Sequence, residues 1–407
     1  MVRQAAILCG GLGSRLGELA AKTPKPLLPV DGVPFLDVLL FELGRHGVTR
    51  VLLLAGFAAH RIIDYASSTA MKVRFNLDIE VSVEPQRAGT GGALWHARDQ
   101  LDDWFFLLNG VSWFDINLLE LSRRAEVSEA AVTGAIAIRP LQDTSRYGVV
   151  EVDHDRITRF SARPERAGNG LVSGGVYFFR RTLIDRLGPC CSLEEDILPR
   201  LASNDQLLGV PFEKYFIDIG VPQSLLRAQD EIPRQRRRPA VFLDRDGVIN
   251  HDDGHVGSFE RFRWIDGAKA AIKVLNDCGL FAFVVTNQSG VARGFYGESD
   301  IGGLHAQLAN ELETAGGHLD DIRYCPFHPE AVIPAYLRVS YWRKPGPGMI
   351  LDLLRCWPID AGSSFLIGDR ESDCAAASAA KIDSHLFPGG DLWRFISDLF
   401  AKRASSA

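Results

Sequence analysis

Two carboxylates follow a short apolar run in the segment VFLDRDGVIN, residues 241–250. Asp244 and Asp246 are two residues apart, and side chains at that spacing on an extended strand point to the same side of it. Open parallel sheets bind their ligands at the carboxyl ends of the strands. One interpretation makes the two residues turn-forming aspartates, and the other makes them a pair that acts on a single substrate atom.

Three further segments supply complementary groups in the same half of the chain. FVVTNQSG ends an apolar run with a hydroxyl and an amide, WRKPGPGM carries two cations, and FLIGDRESD ends with an acidic pair; these residues are Thr286, Asn287, Arg343, Lys344, Asp369 and Asp373. A nucleophilic carboxylate, a second carboxylate, a hydroxyl, a cation and an acidic pair together favour a Mg²⁺-dependent phosphoryl-transfer site.

These four motifs, in this order, resemble those of the haloacid-dehalogenase (HAD) superfamily of phosphatases. The similarity covers Ala240 to about Phe387 and is strongest to the heptose 1,7-bisphosphate and histidinol-phosphate phosphatase group. The resemblance implies that Asp244 attacks phosphorus to form an aspartyl-phosphate. It also implies that Asp246 protonates the leaving oxygen and then activates water, while Thr286 and Lys344 hold the phosphoryl oxygens.

The resemblance assigns the metal site as well. Asp244, Asp369 and the backbone carbonyl of Asp246 are expected to hold Mg²⁺, which typically takes one or two carboxylates together with phosphate and water. Asp373 is expected to complete this acidic cluster by orienting Lys344 or the metal-bound waters.

The expected substrate contacts are Asn287 and Arg343. Only 42 residues separate Asp244 from Thr286, and 58 separate Thr286 from Lys344. These intervals leave no room for a large cap domain over the site. A small phosphorylated sugar would fit such an open cleft.

The zinc loop of this phosphatase group is incomplete here. Its members carry a Cys-Pro-His start and a Cys-x-Cys finish just before the Arg-Lys pair, whereas this chain has CPFHPE from Cys325 and SYWRKP from Ser340. A structural zinc site needs four ligands, and one family ligand out of four cannot hold the ion. We therefore predict no zinc, with three aromatic residues packing the loop instead: Phe327, Tyr341 and Trp342.

A glycine-rich segment opens the other half of the chain. AAILCGGLGSRLGELAAKTPKPLLPV begins with an apolar run and continues with glycines and two cations. Glycine allows the backbone N–H groups to close on phosphates, and the cations supply charge. The expected phosphate-binding residues are Gly10, Gly11, Gly13, Arg15 and Lys25.

The full spacing of that segment resembles the sugar-phosphate nucleotidylyltransferases, from about Val2 to Glu231. Four later segments have counterparts in the same order: EPQRAGTGGAL, RYGVVEVD, SGGVYFF and YFIDIGVPQ. In that family a sugar 1-phosphate attacks the α-phosphorus of a nucleoside triphosphate and releases pyrophosphate, and two aspartates hold Mg²⁺. The resemblance assigns one of these aspartates to Asp218.

Three positions depart from the transferase pattern. The second aspartate is expected after Asn-Gly in LLNGV, where the chain has Val111; the family's Glu-Lys-Pro is Ala162-Arg163-Pro164, and an expected asparagine is Ser173. Loss of one well-placed electrostatic group typically costs on the order of 10² to 10³ in rate. The domain is therefore either a weakened transferase or a domain kept for binding or assembly.

The elements that must position these residues are short strands and amphipathic helices, which alternate in both halves of the chain. This alternation predicts an α/β fold with two Rossmann-like domains, each a mostly parallel sheet flanked by helices. EIPRQRRRPA is interpreted as the linker. The expected organisation is a nucleotidylyltransferase-like domain at residues 1–231, a linker at 232–240, an HAD-like domain at 241–400 and a frayed tail at 401–407.

Composition limits the function classes further. The 407 residues are 46% hydrophobic and 24% charged with a net charge of −6, which fits two globular domains and lacks the basic surface of a nucleic-acid binder. Seven cysteines without a framework spacing predict a reducing, cytoplasmic environment. No apolar run approaches the ~20 residues of a membrane span, so no membrane partner is expected.

Two domains that resemble consecutive enzymes of one route predict a fused pathway protein. The second domain is expected to remove the 7-phosphate of D-glycero-D-manno-heptose 1,7-bisphosphate. The first, if active, would use GTP to convert the 1-phosphate to GDP-heptose for a bacterial surface glycan such as lipopolysaccharide. The alternatives are a phosphatase with a non-catalytic domain and a histidinol-phosphate phosphatase; a homo-oligomer also stays open.

Overall fold

Two compact units make up this chain. The computed structural model describes residues 2–128, 131–162 and 168–406, and contacts between Cα atoms divide it into Val2–Gln235 and Arg236–Ala407. Among the residues described, no helix is both long and apolar enough to cross a membrane.

The first unit is built on a mixed sheet. Its strands are β1 (Gln4–Leu8), β2 (Pro29–Val30), β3 (Val33–Pro34), β4 (Arg50–Ala55), β5 (Asp78–Val83), β6 (Trp104–Asn109), β7 (Ser112–Phe114), β8 (Gly134–Leu141), β9 (Val149–Asp153), β10 (Arg156–Ser161), β11 (Gly170–Arg180), β12 (Leu207–Pro211) and β13 (Phe216–Asp218). The order in the main sheet is β5-β4-β1-β6-β11-β8-β12-β10-β9.

The parallel part of this sheet, β5-β4-β1-β6, positions the glycine-rich segment. β1 pairs in parallel with β4 and β6, and its residues QAAIL are almost entirely buried because their side chains pack into two hydrophobic clusters, one with residues 35–43 and the other with Leu94 and residues 198–202. The α/β class is confirmed. Beyond β6 the sheet is mixed rather than parallel, since β11 runs antiparallel to both β6 and β8.

The helices of the first unit are α1 (Phe35–Arg45), α2 (Ala59–Ser68), α3 (Ala70–Arg74), α4 (Gly89–His96), α5 (Leu118–Glu126), α6 (Leu198–Ser203) and α7 (Pro222–Arg236). A separate two-stranded sheet joins β7 to β13 in antiparallel register, with Ser112 opposite Asp218. Position 111, where the sequence departs from the transferase family, is therefore adjacent to the retained aspartate.

The second unit contains a five-stranded parallel sheet of order β16-β15-β14-β17-β18. Its strands are β14 (Ala240–Leu243), β15 (Phe281–Asn287), β16 (Asp321–Cys325), β17 (Phe365–Gly368) and β18 (Asp383–Leu386). Its helices are α8 (Ala268–Cys278), α9 (Glu298–Thr314), α10 (Gly348–Cys356), α11 (Glu371–Ala379) and α12 (Leu392–Ser406).

The central strands of this sheet bring the predicted motifs together. β14 is fully buried between β15 and β17, and it ends one residue before Asp244. β15 ends at Thr286 and Asn287, and Asp369 follows β17 directly. Because these strands are parallel neighbours, the three motifs meet at one edge of the sheet.

Two connecting segments are more regular than the sequence indicated. The boundary between the two units, at Gln235 and Arg236, lies inside the predicted linker at 232–240, but the first part of that segment is helical, because α7 continues to Arg236 with Pro233 inside it. The buried face of α7 carries Leu225, Ala228 and Ile232, so its helical spacing extends past residue 231 and keeps the segment folded against the first unit. The expected frayed tail is also helical to Ser406.

Candidate active site and nucleotide pocket

The predicted nucleophile of the second unit lies in a buried ion-pair network. Asp244 Oδ2 is 2.8 Å from Lys344 Nζ, and Asp244 Oδ1 accepts a hydrogen bond from the backbone N–H of Arg245 at 2.7 Å. Lys344 Nζ is also 2.5 Å from Asp373 Oδ1 and donates to the carbonyl of Val285 at 2.9 Å. Lys344 is therefore fixed between two carboxylates.

Burial controls the ionisation of this network. It raises the pKa of Asp244 to about 6, against the opposing effect of the Lys344 ammonium. Burial alone would lower the pKa of Lys344, but Asp244 and Asp373 outweigh it and raise that pKa. Lys344 therefore stays protonated and screens the negative charge at the nucleophile.

Three acidic residues at this edge fit a Mg²⁺ ion. Asp244, Asp369 and Asp373 each offer an oxygen, and these oxygens lie within 4.8 Å of one another. In the part of the chain that the structure describes, Asp369 Oδ1 is buried without a hydrogen-bond partner. Gly247 has φ of 92°, and a Cβ added there would lie 2.3 Å from Asp369 Oδ2. Glycine therefore keeps open the space that Asp369 occupies.

The predicted acid/base residue is held by three side chains that the sequence analysis missed. Arg245 donates from Nη2 to both Asp246 oxygens at 2.9 and 3.0 Å, Asn250 donates at 2.9 Å, and Gln288 donates at 2.8 Å. The Arg245 side chain is fully buried. Its position between the two aspartates was a usable signal, since a buried arginine needs a carboxylate partner.

The other predicted contacts divide into two kinds. Thr286 is buried and accepts a hydrogen bond from Gln288 at 3.0 Å. Asn287 lines the cleft, and its side-chain amide donates to the carbonyl of Lys344 and accepts from the backbone N–H of Lys344, each at 3.0 Å, so it also positions Lys344. Arg343 lines the cleft, and its Nη1 is buried with no hydrogen-bond partner among the described residues.

The cleft above these groups encloses about 410 Å³. Asp252 and Arg370 both line it, and they form an ion pair at 2.6 Å between the loop after β14 and the start of α11. Tyr296 also lines the cleft and donates a hydrogen bond to Gln288 at 2.9 Å. Sequence spacing carried no signal for the Asp252–Arg370 pair, because the two residues lie 118 positions apart.

The incomplete zinc loop is occupied by stacked side chains. The Arg338 guanidinium lies 3.5 Å from the centroid of the Phe327 ring, and the Tyr336 ring lies 5.9 Å from the same ring. His328 Nδ1 accepts a hydrogen bond from the backbone N–H of Glu330 at 3.0 Å. The expectation that Tyr341 packs this loop is wrong, because that residue is 63% exposed. The absence of zinc stays a prediction.

The first unit has a cavity of about 290 Å³ beside the glycine-rich segment. Gly10, Gly11 and Lys25 line it, together with Val111. Gly13 lies outside the lining, with φ of 71° and no space for a Cβ, which would lie 2.7 Å from Ala20 Cβ. The glycine turn therefore needs its glycines for local geometry as well as for close approach to a ligand.

The retained aspartate of the first unit is already engaged by neighbouring donors. Asp218 Oδ1 accepts from Arg146 Nη2 and from the backbone N–H of Gly220, both at 3.0 Å, and Oδ2 accepts from Ser112 Oγ at 3.0 Å. Arg15 is exposed, and its Nη2 lies 3.5 Å from a Cβ built at Gly220. Arg15 and Asp218 thus lie close together, next to the cavity rather than in its lining.

The two other departures from the transferase pattern have different outcomes. Ser173 is buried and donates a hydrogen bond to Tyr177 Oη at 3.2 Å, so its hydroxyl is used inside the sheet. Arg163 and Pro164 lie outside the described residues.

Family models match both halves of the chain. The Nucleotidyl transferase model matches residues 4–235, and a HAD-hydrolase-like model matches residues 341–392. A D-glycero-beta-D-manno-heptose-1,7-bisphosphate 7-phosphatase from Rhodopseudomonas palustris is 50% identical over 171 residues, covering 42% of this chain and 95% of that relative. A D-glycero-alpha-D-manno-heptose 1-phosphate guanylyltransferase from Aneurinibacillus thermoaerophilus is 30% identical over 233 residues, covering 56% of this chain and 98% of that relative.

Among solved structures, HddC from Yersinia pseudotuberculosis is similar to this chain with a TM-score of 0.51 at 26% identity. The similarity covers 57% of this chain and 100% of HddC. The same protein complexed with GMP-PN matches with a TM-score of 0.50 at 27% identity. Both halves of the chain therefore have relatives that are covered almost end to end.

Proposed function

Because this chain belongs to the Nucleotidyl transferase family and, in its second half, to the family of heptose 1,7-bisphosphate 7-phosphatases, we propose that it removes the 7-phosphate of D-glycero-D-manno-heptose 1,7-bisphosphate. The observation that carries the proposal is the position of Lys344 between Asp244 and Asp373, with an oxygen of Asp369 close by that has no hydrogen-bond partner among the residues described. This arrangement provides a nucleophile, a fixed cation and a place for Mg²⁺.

In the first step, an oxygen of Asp244 attacks the phosphorus of the 7-phosphate. The bond between phosphorus and the sugar oxygen breaks, and Asp246 gives its proton to that oxygen. Lys344 and Thr286 hold the phosphoryl oxygens during this transfer. The contacts of Asp246 with Arg245 and its neighbours hold the carboxyl group in place for the proton transfer.

In the second step, Asp246 takes a proton from a water molecule, whose oxygen attacks the phosphorus of the aspartyl-phosphate. The bond to Asp244 breaks, the carboxylate is restored, and inorganic phosphate leaves.

Asp244, Asp369 and the backbone carbonyl of Asp246 would hold Mg²⁺, with Asp373 beside them. The ion would supply electrostatic neutralisation of the phosphate oxygens.

The cleft supports a small bisphosphate as substrate. It opens without a large cap, and Arg343, whose buried Nη1 has no hydrogen-bond partner among the described residues, lines this space of about 410 Å³. A guanidinium can bind a phosphate through two parallel hydrogen bonds. Arg343 is therefore proposed to bind the phosphate that is not removed, a group that histidinol phosphate lacks.

The pairing of the two domains also suggests the anomer. The Aneurinibacillus relative of the first domain is named for the α-anomer of the 1-phosphate, whereas the Rhodopseudomonas relative of the second is named for the β-anomer. Two domains on one chain serve one route only if the product of one is the ligand of the other. We therefore propose the α-anomer of the bisphosphate as the preferred substrate.

The first domain is a second candidate for activity. Its family transfers a nucleotide to a sugar 1-phosphate, and a matching structure was obtained with GMP-PN, which supports a guanine nucleotide as ligand. Val111 and the engaged carboxylate of Asp218 favour binding over transfer.

The test is a pair of assays on the purified full chain with Mg²⁺. We expect phosphate release from the heptose bisphosphate, faster for the α-anomer than for the β-anomer, and little from histidinol phosphate. Pyrophosphate release on addition of GTP and heptose 1-phosphate would establish transferase activity. Preference for histidinol phosphate over both bisphosphate anomers would refute the proposed substrate.

A further inference from the structure

The first domain departs from its family at the place where the metal should bind. Of the two family aspartates, Asp218 remains, and it is adjacent to Val111 because Ser112 and Asp218 are opposite each other in the β7–β13 pair. The backbone N–H of Ile219 donates to the carbonyl of Val111 at 2.9 Å, which fixes the two segments together. An apolar side chain thus stands where a second ligand is needed.

No other acidic cluster replaces the missing ligand. Within residues 2–128, 131–162 and 168–406, the single group of three or more metal-binding side chains is the aspartate cluster of the second unit. Asp218 itself accepts hydrogen bonds on both oxygens and is 12% exposed. Mg²⁺ typically takes one or two carboxylates together with phosphate and water. Here one carboxylate of the family pair is left, and both of its oxygens already accept hydrogen bonds, so the residues present do not fit this ion.

Arg146, the first residue of the RYGVVEVD segment, pairs with Asp218. Arg146 Nη2 lies 3.0 Å from Asp218 Oδ1, and Arg146 Nη1 donates to Ser224 Oγ at 3.2 Å. Its side chain is 32% exposed, so part of the guanidinium is accessible to a ligand. The Tyr147 ring lies 5.5 Å from the guanidinium carbon. The guanidinium is therefore oriented by partners on two sides.

Two further cations lie in the same region. Burial lowers the pKa of Lys25, and Asp218 acts in the opposite direction. Arg15 is close enough to lower that pKa as well. Lys25 lines the cavity together with Arg87, Glu84 and Glu194, while Arg15 and Arg146 lie close to Asp218. The cations of this region can bind an anion such as a phosphate.

We infer that the first domain binds a nucleoside phosphate without a divalent cation, with the Arg146 guanidinium taking the electrostatic place of the metal. The inference rests on the proposed assignment of this domain to nucleotide binding. Guanidinium and phosphate form charge-assisted hydrogen bonds that orient the ligand. An arginine does not bridge ligand oxygens as a metal ion does, so this arrangement favours binding over transfer.

The test is isothermal titration calorimetry of the full-length chain with GTP, once with EDTA and once with Mg²⁺. All titrations use the Asp244→Asn background, which prevents hydrolysis of the probe by the second domain. We expect the two affinities to agree within about twofold, well under the tenfold that corresponds to about 1.4 kcal/mol. Binding that is tighter by about tenfold or more with Mg²⁺, or no binding in either buffer, would overturn the inference.

Variants separate the guanidinium from the rest of the pocket. Arg146→Gln should weaken GTP binding in EDTA by about tenfold or more, since it removes a charge-assisted contact, and Arg146→Lys should retain part of the affinity. Equal affinity of the Asp244→Asn protein with and without Arg146→Gln would overturn the role of Arg146. Thermal unfolding of each variant checks that the first domain is folded.

Restoring the family carboxylate provides the matched comparison. Val111→Asp should make the affinity for GTP depend on Mg²⁺. Val111→Asn introduces a side chain of the same size as aspartate but without its charge, and it should not have this effect. A Val111→Asp variant with no response to Mg²⁺ would contradict the assignment of the lost metal ligand to this position. Phosphate release by the wild-type chain is measured separately, so a failed phosphatase assay is distinguishable from a failed binding result.

Discussion

Each unit of this chain has a site in which a basic side chain pairs with an aspartate. The two sites differ in how many acidic residues lie around that basic side chain. In the second unit, Lys344 lies between Asp244 and Asp373, and one oxygen of Asp369 has no hydrogen-bond partner in the part of the chain that the structure describes. In the first unit, Arg146 pairs with Asp218, and the neighbouring position is Val111. Both sites place a basic residue beside an aspartate. Among the described residues, further carboxylates that could bind a metal ion lie in the site of the second unit.

The difference shows that an ion pair does not by itself decide whether a site can take a metal. A lysine beside a nucleophilic aspartate is compatible with Mg²⁺ because other carboxylate oxygens remain available. When a single carboxylate is left, the arginine already satisfies its charge. One substitution, at position 111, is therefore expected to convert a metal-dependent anion site into a site that depends on arginine.

The largest expected effect comes from the nucleophile. Asp244→Asn should reduce phosphate release from the heptose bisphosphate by at least about 10³-fold, because the amide cannot attack phosphorus. A phosphate-release assay with single-turnover conditions measures this loss, and circular dichroism verifies the fold. Residual activity within tenfold of wild type would mean that another group attacks phosphorus, and the contrast between the two sites would lose its basis.

A second pair of variants compares the two sites directly. Asp369→Asn should lower phosphatase activity by about 10² to 10³, since it removes a charged group that the reaction requires. It should also abolish the rise in melting temperature that Mg²⁺ causes by binding the native state. Asp218→Asn should retain that rise. Scanning calorimetry measures the melting temperature of both variants with and without Mg²⁺. A loss of the Mg²⁺ effect in Asp218→Asn would show that the first domain does bind the metal.

A smaller effect is expected for the arginine that holds Asp246. Arg245→Gln should reduce kcat by about 10- to 100-fold, the usual range for residues that orient a catalytic group, with little change in KM. Arg245→Lys keeps the charge without the planar fork and should recover part of kcat. Equal kcat values for both variants, with folding checked by thermal unfolding, would argue against an orienting role.

The smallest effect is expected at the mouth of the cleft. Arg370→Gln and Asp252→Asn each break an ion pair whose arginine side chain is 64% exposed. Exposed pairs contribute little free energy, so we expect KM to change by no more than about fivefold. The double variant should resemble the single ones. Losses that multiply in the double variant would show that the two residues act separately on substrate.

In the second unit, local sequence patterns predicted which motifs meet at the site. Asp244, Thr286, Lys344 and Asp369 lie in motifs whose strands are adjacent and parallel, so their meeting point follows from the fold class. The contacts of Arg245 could not be predicted with the same ease. Apart from the adjacent Asp246, its partners come from segments 11 and 43 residues away, and their approach depends on side-chain packing.

In the first unit, local sequence patterns predicted less of the site. The departure at Val111 is evident from the sequence, and so is the retained aspartate. The partner of that aspartate is not, because Arg146 lies 72 residues from Asp218 and reaches it only through the folded sheet. The helix that replaces most of the predicted linker was also missed, since proline and arginine residues masked the continuing apolar face of α7.

The sequence by itself determined the two α/β domains, the order of the phosphatase motifs and the loss of one carboxylate at position 111. These features are set by residue type and short-range spacing along strands and turns. The tertiary structure decided which groups neutralise the remaining carboxylates: Lys344 for Asp244 and Arg146 for Asp218. The physical reason is that a charge is balanced by whatever lies within a few ångströms of it, and folding sets that distance.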